Sequence, residues 1–359
     1  MRICLIGIGA IAQQHARAAI QLGHEVPTAC ATSIDSKNWK NMERQAPGID
    51  RFDDWRTALG QSNCDAAIIA LPWNRIDPIL TELLANPLPM LIEKPAALSA
   101  ARLRQAIAAE KNTQAPRKII GFNRRFYRTA QALKRRLAKG GLKSARIVMA
   151  EDLERQIARH GPQISEHILE FSAIAHALDL MLYLLPGIQT QYKSGDLYGD
   201  GATQVILKTP TGISVSLSLI LNGVDNSGQT YYFSDGSSWV LQPIEHLEMF
   251  AAYNVASASN RNAIRVFKPN STVVASEIFR TEGNSEEQDG AFLTQPLATN
   301  AAGSIEIKPG LLSQIRCLSD IAEGKQQSKQ LEQAATIDDS LLLKELTDQL
   351  TSPNWNGPR

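Results

Sequence analysis

Arg2-Ile3-Cys4-Leu5-Ile6-Gly7-Ile8-Gly9-Ala10-Ile11-Ala12 joins an unbroken apolar run to a glycine-rich turn at the start of the chain. Consecutive apolar residues without alternation mark a strand covered on both faces, as in a parallel sheet. The turn fits G-x-G-x-x-G/A and runs into a helical stretch over 10–22. Gly7 suits a tight turn, Gly9 lets backbone approach a pyrophosphate with no Cβ in the way, and Ala12 allows close packing of helix on strand. The unpaired N–H groups of a helix start then face the anion. Gly7, Gly9, Ala10, Ile11 and Ala12 are thus read as a dinucleotide cradle. A ligand-free βα turn is the bland alternative, and the flanking strand and helix weigh against it.

The same rhythm extends outward to residue 118, with apolar runs at 26–31, 66–71 and 90–92 separated by helical stretches at 78–84 and 100–109. That pattern predicts an α/β fold opening with a Rossmann domain over 1–118. After Ile119-Ile120-Gly121 it changes to a basic helix near 129–139, a long apolar helix near 165–185, and strands at 204–208, 214–221, 230–233 and 239–241. The last pair flanks Asp235-Gly236, a hairpin signal. We read 119–350 as a substrate-binding and oligomerisation domain of α+β type with a large, mainly antiparallel sheet. Helices near 311–323 and 331–350 close it, after a long loop over 281–303, and 351–359 form a tail.

A length of 359 residues suits two domains, and 43% hydrophobic with 20% charged residues can bury a sizeable core. A net charge of +1 supplies no overall field for nucleic acid or acidic membrane, so neither is expected as a partner. Six residues before the first glycine are too few for a signal-peptide apolar region, and a cytoplasmic location is expected. Cys4, Cys30, Cys64 and Cys317 lack C-x-x-C spacing and histidine partners, so no metal is expected and they are read as small buried hydrophobes.

In NAD-type domains an acid ends the second strand and binds the ribose diol. Here the strand ends Ala29-Cys30-Ala31-Thr32-Ser33. Thr32 and Ser33 leave room for a 2′-phosphate, which leans the cofactor from NAD towards NADP, although Asp35 could still reach a ribose. Leu91-Ile92-Glu93-Lys94-Pro95 ends another strand at the sheet edge where such folds bind ligands. Proline holds Lys94 extended, aiming its side chain across the crevice. A surface lysine at a strand end is the bland reading.

The combination of Gly7 to Ala12, Ala70-Leu71-Pro72-Trp73-Asn74, Glu93-Lys94-Pro95 and Gly121-Phe122-Asn123-Arg124-Arg125-Phe126 resembles the glucose-fructose oxidoreductase and inositol dehydrogenase (Gfo/Idh/MocA) family. The resemblance implies an NAD(P)-dependent dehydrogenase or reductase acting on CH-OH groups of a sugar or sugar derivative. It places Lys94 beside nicotinamide and substrate, and Leu71, Pro72, Trp73, Asn74 and Glu93 along the cofactor. His176-Ala177-Leu178-Asp179 resembles the family's H-x-x-D, with His176 the acid-base group and Asp179 a substrate contact. At ~100° per residue, Ser172, His176 and Asp179 share one face of a continuous helix. Relatives often carry Asp and Gly where this chain has Ser172 and Ile174.

Residues 117–146 hold eleven lysines or arginines and no acid. Lys134, Arg135, Arg136 and Lys139 read as a solvated helix face. Asn123, Arg124 and Arg125 follow the strand into the second domain and are taken as substrate-binding, as at matching positions in inositol dehydrogenases. Guanidinium suits carboxylate or phosphate, so the substrate is expected to be anionic: a nucleotide sugar, sugar phosphate or sugar acid. Two other readings are a cofactor-binding sensor without turnover, and an enzyme that retains its nucleotide for elimination or epimerisation. A homodimer or homotetramer is expected from the resemblance and from the cost of an exposed apolar sheet.

Overall fold

The computed structural model describes all residues except 34, 114, 200, 224–226, 252–270, 278–306, 326–327, 329 and 353–359. The expected loop over 281–303, and the tail from 353 on, lie outside the described residues.

Chain order begins β1 (Arg2–Ile6), α1 (Ala10–Gln21), β2 (Glu25–Cys30), α2 (Trp39–Gln45), β3 (Asp50–Phe52), α3 (Trp55–Gln61), β4 (Ala66–Ile69), α4 (Trp73–Ala85), β5 (Met90–Ile92), α5 (Ala100–Lys111) and β6 (Ile119–Ile120). The six strands form one parallel sheet in the order β3-β2-β1-β4-β5-β6. This is the Rossmann order. Ile3, Leu5, Ile68 and Leu91 are sealed from solvent, and each such side chain contributes about 1.5–3 kcal/mol by leaving water. In α1 the buried residues Ala12, His15, Ala16 and Ala19 recur at helical spacing, and the alanines let the helix lie close on the sheet.

The chain continues with α6 (Arg128–Ala138), β7 (Leu142–Glu151), α7 (Leu153–His160), α8 (Ile168–Phe171), α9 (Ala173–Leu184), β8 (Gln189–Ser194), β9 (Thr203–Lys208), β10 (Ser214–Leu221), β11 (Gly228–Phe233), β12 (Ser238–Leu241), β13 (His246–Phe250), β14 (Ser271–Ser276), α10 (Leu311–Ala322) and α11 (Ile337–Thr351). The second sheet runs β14-β13-β12-β11-β7-β10-β9-β8 and is antiparallel except for the β7–β10 pair. The α/β class and mainly antiparallel second sheet agree with expectation. Central β7 was absent from it because Lys143 and Arg146 fall inside the basic run; on the strand they alternate with the buried Ala145 and Ile147.

Two compact units result, but not as contiguous blocks. One comprises Met1–Phe126, His167–Asp179 and Ile305–Thr347; the other Tyr127–Glu166, Leu180–Ser304 and Asp348–Arg359. The Rossmann domain read over 1–118 lies wholly within the first unit, which also takes in residues 119–126 and the two later segments. Leu311, Ile315 and Leu318 of α10 share a core with Ile3 and Leu5, and Ile120 N–H donates to Ala335 O at 2.9 Å. Both contacts tie the late segment to the first sheet.

The long apolar helix is also interrupted. Pro162–His167 is a 3₁₀ turn and α8 and α9 are separated at Ser172, whose Oγ accepts Ile174 N–H at 3.1 Å. This run is apolar and long enough to cross a membrane by composition, yet 67% of its most apolar window is buried inside the protein, as in a core helix. The basic helix face is only partly solvated. Lys134 Nζ donates to Tyr183 O, and Arg136 lies 3.6 Å over Phe233 while bonding Asp235 at 2.8 Å. Cys4, Cys30 and Cys317 are buried, and all four cysteines are free.

Candidate active site

Every residue below belongs to the first unit. Gly7 has φ of +105°, and a Cβ there would stand 2.3 Å from Ala70 O, so only glycine fits the turn beside the 70–74 loop. Gly9 is extended at the start of α1, has no side-chain cap, and a Cβ on it would meet no atom within 4 Å. Open space over uncapped helix N–H groups suits a pyrophosphate, so these residues fit a dinucleotide. Ala12 is buried beneath, while Ala10 is exposed and Ile11 half-buried. Thr32 and Ser33 are exposed just beyond β2, and Ser33 Oγ accepts Asp35 N–H at 3.1 Å. Pro72 and Asn74 are exposed, Leu71 is half-buried, and the Trp73 ring lies 5.7 Å from that of His167.

Lys94 Nζ donates to Phe171 O at 2.5 Å and lies 5.7 Å over the Phe171 ring. Phe171 is anchored by its neighbour Glu170, which is buried and accepts from Lys344 Nζ at 2.6 Å and Thr347 Oγ1 at 2.8 Å. Two residues beyond, Ala173 O accepts from Arg124 Nη1 at 3.3 Å. Asn123 Nδ2 donates to Pro309 O at 2.9 Å, and Lys308 N–H donates to Gln14 Oε1 at 3.2 Å. A Cβ at Gly310, where φ is +82°, would lie 2.3 Å from Asn123 O, so the 308–310 segment seats closely on the Asn123 turn.

His176 sits edge-on to Phe122, with ring centroids 5.8 Å apart. Its Nδ1 is enclosed without a partner among the described residues, which leaves Nε2 as the nitrogen open to a reactant. Enclosure, then the positive charges of Lys94, Arg124 and Lys308, hold the imidazole pKa well below its ordinary 6.5. The ring is a neutral base at neutral pH, and the three cations give its surroundings a positive potential.

Three expected substrate contacts are turned elsewhere. Arg125 and Asp179 are 3% and 1% exposed and bond each other: Arg125 Nε to Oδ1 at 3.1 Å and Oδ2 at 2.9 Å, Nη2 to Oδ1 at 2.6 Å. Nη2 also lies 3.1 Å from Asp339 Oδ1. Burial opposes the guanidinium charge, but the two carboxylates outweigh it and raise the Arg125 pKa above its usual value. A buried guanidinium must be paired, and that requirement claims Asp179. Ser172 is buried and spent on Ile174 N–H. Glu93, expected along the cofactor, turns its carboxylate inward to His15 Nε2 at 2.7 Å. Sequence reasoning missed Phe171, Lys308, Asp339 and His15. Of these only His15 left a signal, a polar residue on the alanine-lined face of α1.

A Rossmann sheet with an open phosphate cradle fits an NAD(P)-binding oxidoreductase, and the same unit carries Lys94 just past β5 and His176 on α9. Residues 1–118 match the family described as an oxidoreductase family with an NAD-binding Rossmann fold, Gfo/Idh/MocA. The inositol 2-dehydrogenase of Corynebacterium glutamicum strain R is 23% identical over 230 residues, covering 62% of this chain and 67% of the relative. Two solved structures share the fold. An Agrobacterium radiobacter oxidoreductase in complex with NAD+, L-tartaric acid and magnesium has a TM-score of 0.69 at 16% identity, covering 99% of this chain and 96% of its own. A 3-ketoreductase from Actinomadura kijaniata in complex with NADP and TDP-benzene has 0.65 at 12%, covering 98% and 96%. The family match thus covers the Rossmann domain, residues 1–118 of 359, and the 23%-identical relative extends the similarity beyond it.

Proposed function

We propose that this protein moves a hydride between nicotinamide and a carbinol or ketone carbon of an anionic sugar derivative. The nicotinamide, when bound, supplies the hydride acceptor or donor. His176 Nε2 takes the hydroxyl proton during oxidation and returns it during reduction. Lys94, fixed through Phe171 O, donates to the substrate oxygen and stabilises its developing charge. Arg124 and Lys308, with Asn123 beside them, hold the anionic group. The observation that carries this reading is His176, set edge-on to Phe122 and held neutral by enclosure and by the charges of Lys94, Arg124 and Lys308.

Thr32 and Ser33, exposed past β2 with no acid in the strand end, support NADP over NAD. Both preferences are read together by following absorbance at 340 nm with NAD+ and NADP+ over uronic acids, sugar phosphates, nucleotide sugars and myo-inositol. A charge-assisted bond contributes ~1.5–3 kcal/mol, so charged sugars should exceed neutral polyols by at least about tenfold in kcat/KM. Equal turnover of neutral polyols would contradict the anionic assignment, and a strong NAD+ preference the NADP one.

A second reading is a cofactor-binding sensor. It is favoured by the unpartnered His176 Nδ1, since a catalytic imidazole is usually oriented through that nitrogen. Tight dinucleotide binding with no turnover on any sugar class would support it.

A further inference from the structure

A buried histidine on α1 bonds the residue next to Lys94. His15 is sealed from solvent and its Nε2 lies 2.7 Å from Glu93 Oε1; the other carboxylate oxygen accepts Lys94 N–H at 3.3 Å. The carboxylate is clamped from the third side by Gly121, where a Cβ would come within 2.9 Å of Glu93 Oε2. One carboxyl group thus joins three chain segments: the helix that starts at the phosphate cradle, the loop carrying Lys94, and the turn leading to Asn123 and Arg124. A buried hydrogen bond to a charged group adds only ~1.5–3 kcal/mol net, and apolar residues of similar shape can often replace such a buried pair at little cost. Stability alone is therefore a poor reason for a polar pair here, and the geometry supplies a better one. His15 sits one helical turn beyond Ala12, on the element whose amino end receives the pyrophosphate.

We propose that His15, acting through Glu93, is a positioning residue that registers Lys94 against the bound nicotinamide. The inference rests on the reading above that Lys94 stands beside the cofactor.

The test is the acetylation rate of Lys94 in the full-length protein, followed by peptide mass spectrometry with sulfo-N-hydroxysuccinimide acetate, with and without saturating NADP+. In wild type, bound NADP+ should slow Lys94 modification at least tenfold. Glu93→Ala, His15→Leu and Gly121→Ala act on three separate segments and should each reduce that protection to less than twofold, while NADP+ affinity changes by less than about threefold. Glu93→Gln can keep both contacts if the imidazole takes its other tautomer, and should retain most of the protection. A packing role would move thermal stability without this pattern of loss and rescue. Protection of Lys94 in Glu93→Ala equal to wild type would overturn the positioning role alone. Absence of protection in wild type would overturn both it and the placement of Lys94 at the cofactor.

Discussion

A neutral imidazole under the influence of nearby positive charges has a direction of response that can be worked out from them. Because enclosure and the charges of Lys94, Arg124 and Lys308 disfavour the imidazolium, oxidation should lose rate only well below pH 6.5, where His176 finally protonates. Arg124→Gln removes one repelling charge and should move that acid limb upward in a plot of kcat/KM against pH; a downward or absent shift would contradict the electrostatic account. The Arg125–Asp179 pair responds differently. Asp179→Ala leaves a buried guanidinium with Asp339 as its remaining partner, and urea unfolding should show a loss of about 3 kcal/mol, with KM affected little in whatever remains folded. An Asp179 that bound substrate would raise KM and spare stability. The place of Lys94 just past β5 was legible from the strand it ends, whereas the roles of Lys94 and His176 rest on the function proposed above. Arg125, Asp179 and Ser172 were not legible, because whether a polar group faces a reactant or a buried partner depends on pairing, and Arg125 finds its partner 54 positions along the chain.

At the level of elements, the G-x-G turn was readable down to individual residues, since each glycine answers to a local requirement. The requirements differ, and so should the variants. Gly7→Ala puts a Cβ into Ala70 O and should fail to fold normally. Gly9→Val meets open space at allowed backbone angles, so the apo protein should keep its melting temperature while NADPH affinity, read by fluorescence titration, weakens at least about tenfold, or ~1.4 kcal/mol. Unchanged affinity would mean that the cradle is only a turn. The helix over 165–185 was less readable. Its apolar composition is continuous, but Ser172 caps α9 instead of continuing a helix, and this removes Ser172 from the face shared with His176. Short polar side chains compete for backbone in this way, and composition does not reveal which site wins.

At the scale of the whole molecule, chain order concealed one thing and suggested another. The segment carrying Lys308 and α10 belongs with the first sheet because its apolar stripe completes that core, a long-range match that no local pattern announces. The second sheet presents Tyr192, paired across strands with Ile206, and further along Tyr232, all exposed. We propose that this face covers itself against a second copy of the chain. Light scattering should then give a mass of at least twice 39.3 kDa, and Ile206→Asp should lower it; a wild-type monomer would contradict this. The central claim concerns hydride transfer, and isotope follows it most directly. NADPH carrying deuterium at C4 of the nicotinamide, incubated with the protein and the panel of oxidised sugars, should deliver deuterium to a single carbinol carbon detected by mass spectrometry. The label should vanish with Lys94→Met or His176→Gln while NADPH still binds. Deuterium absent from every product of the wild-type protein, or transferred undiminished by both variants, would contradict the account.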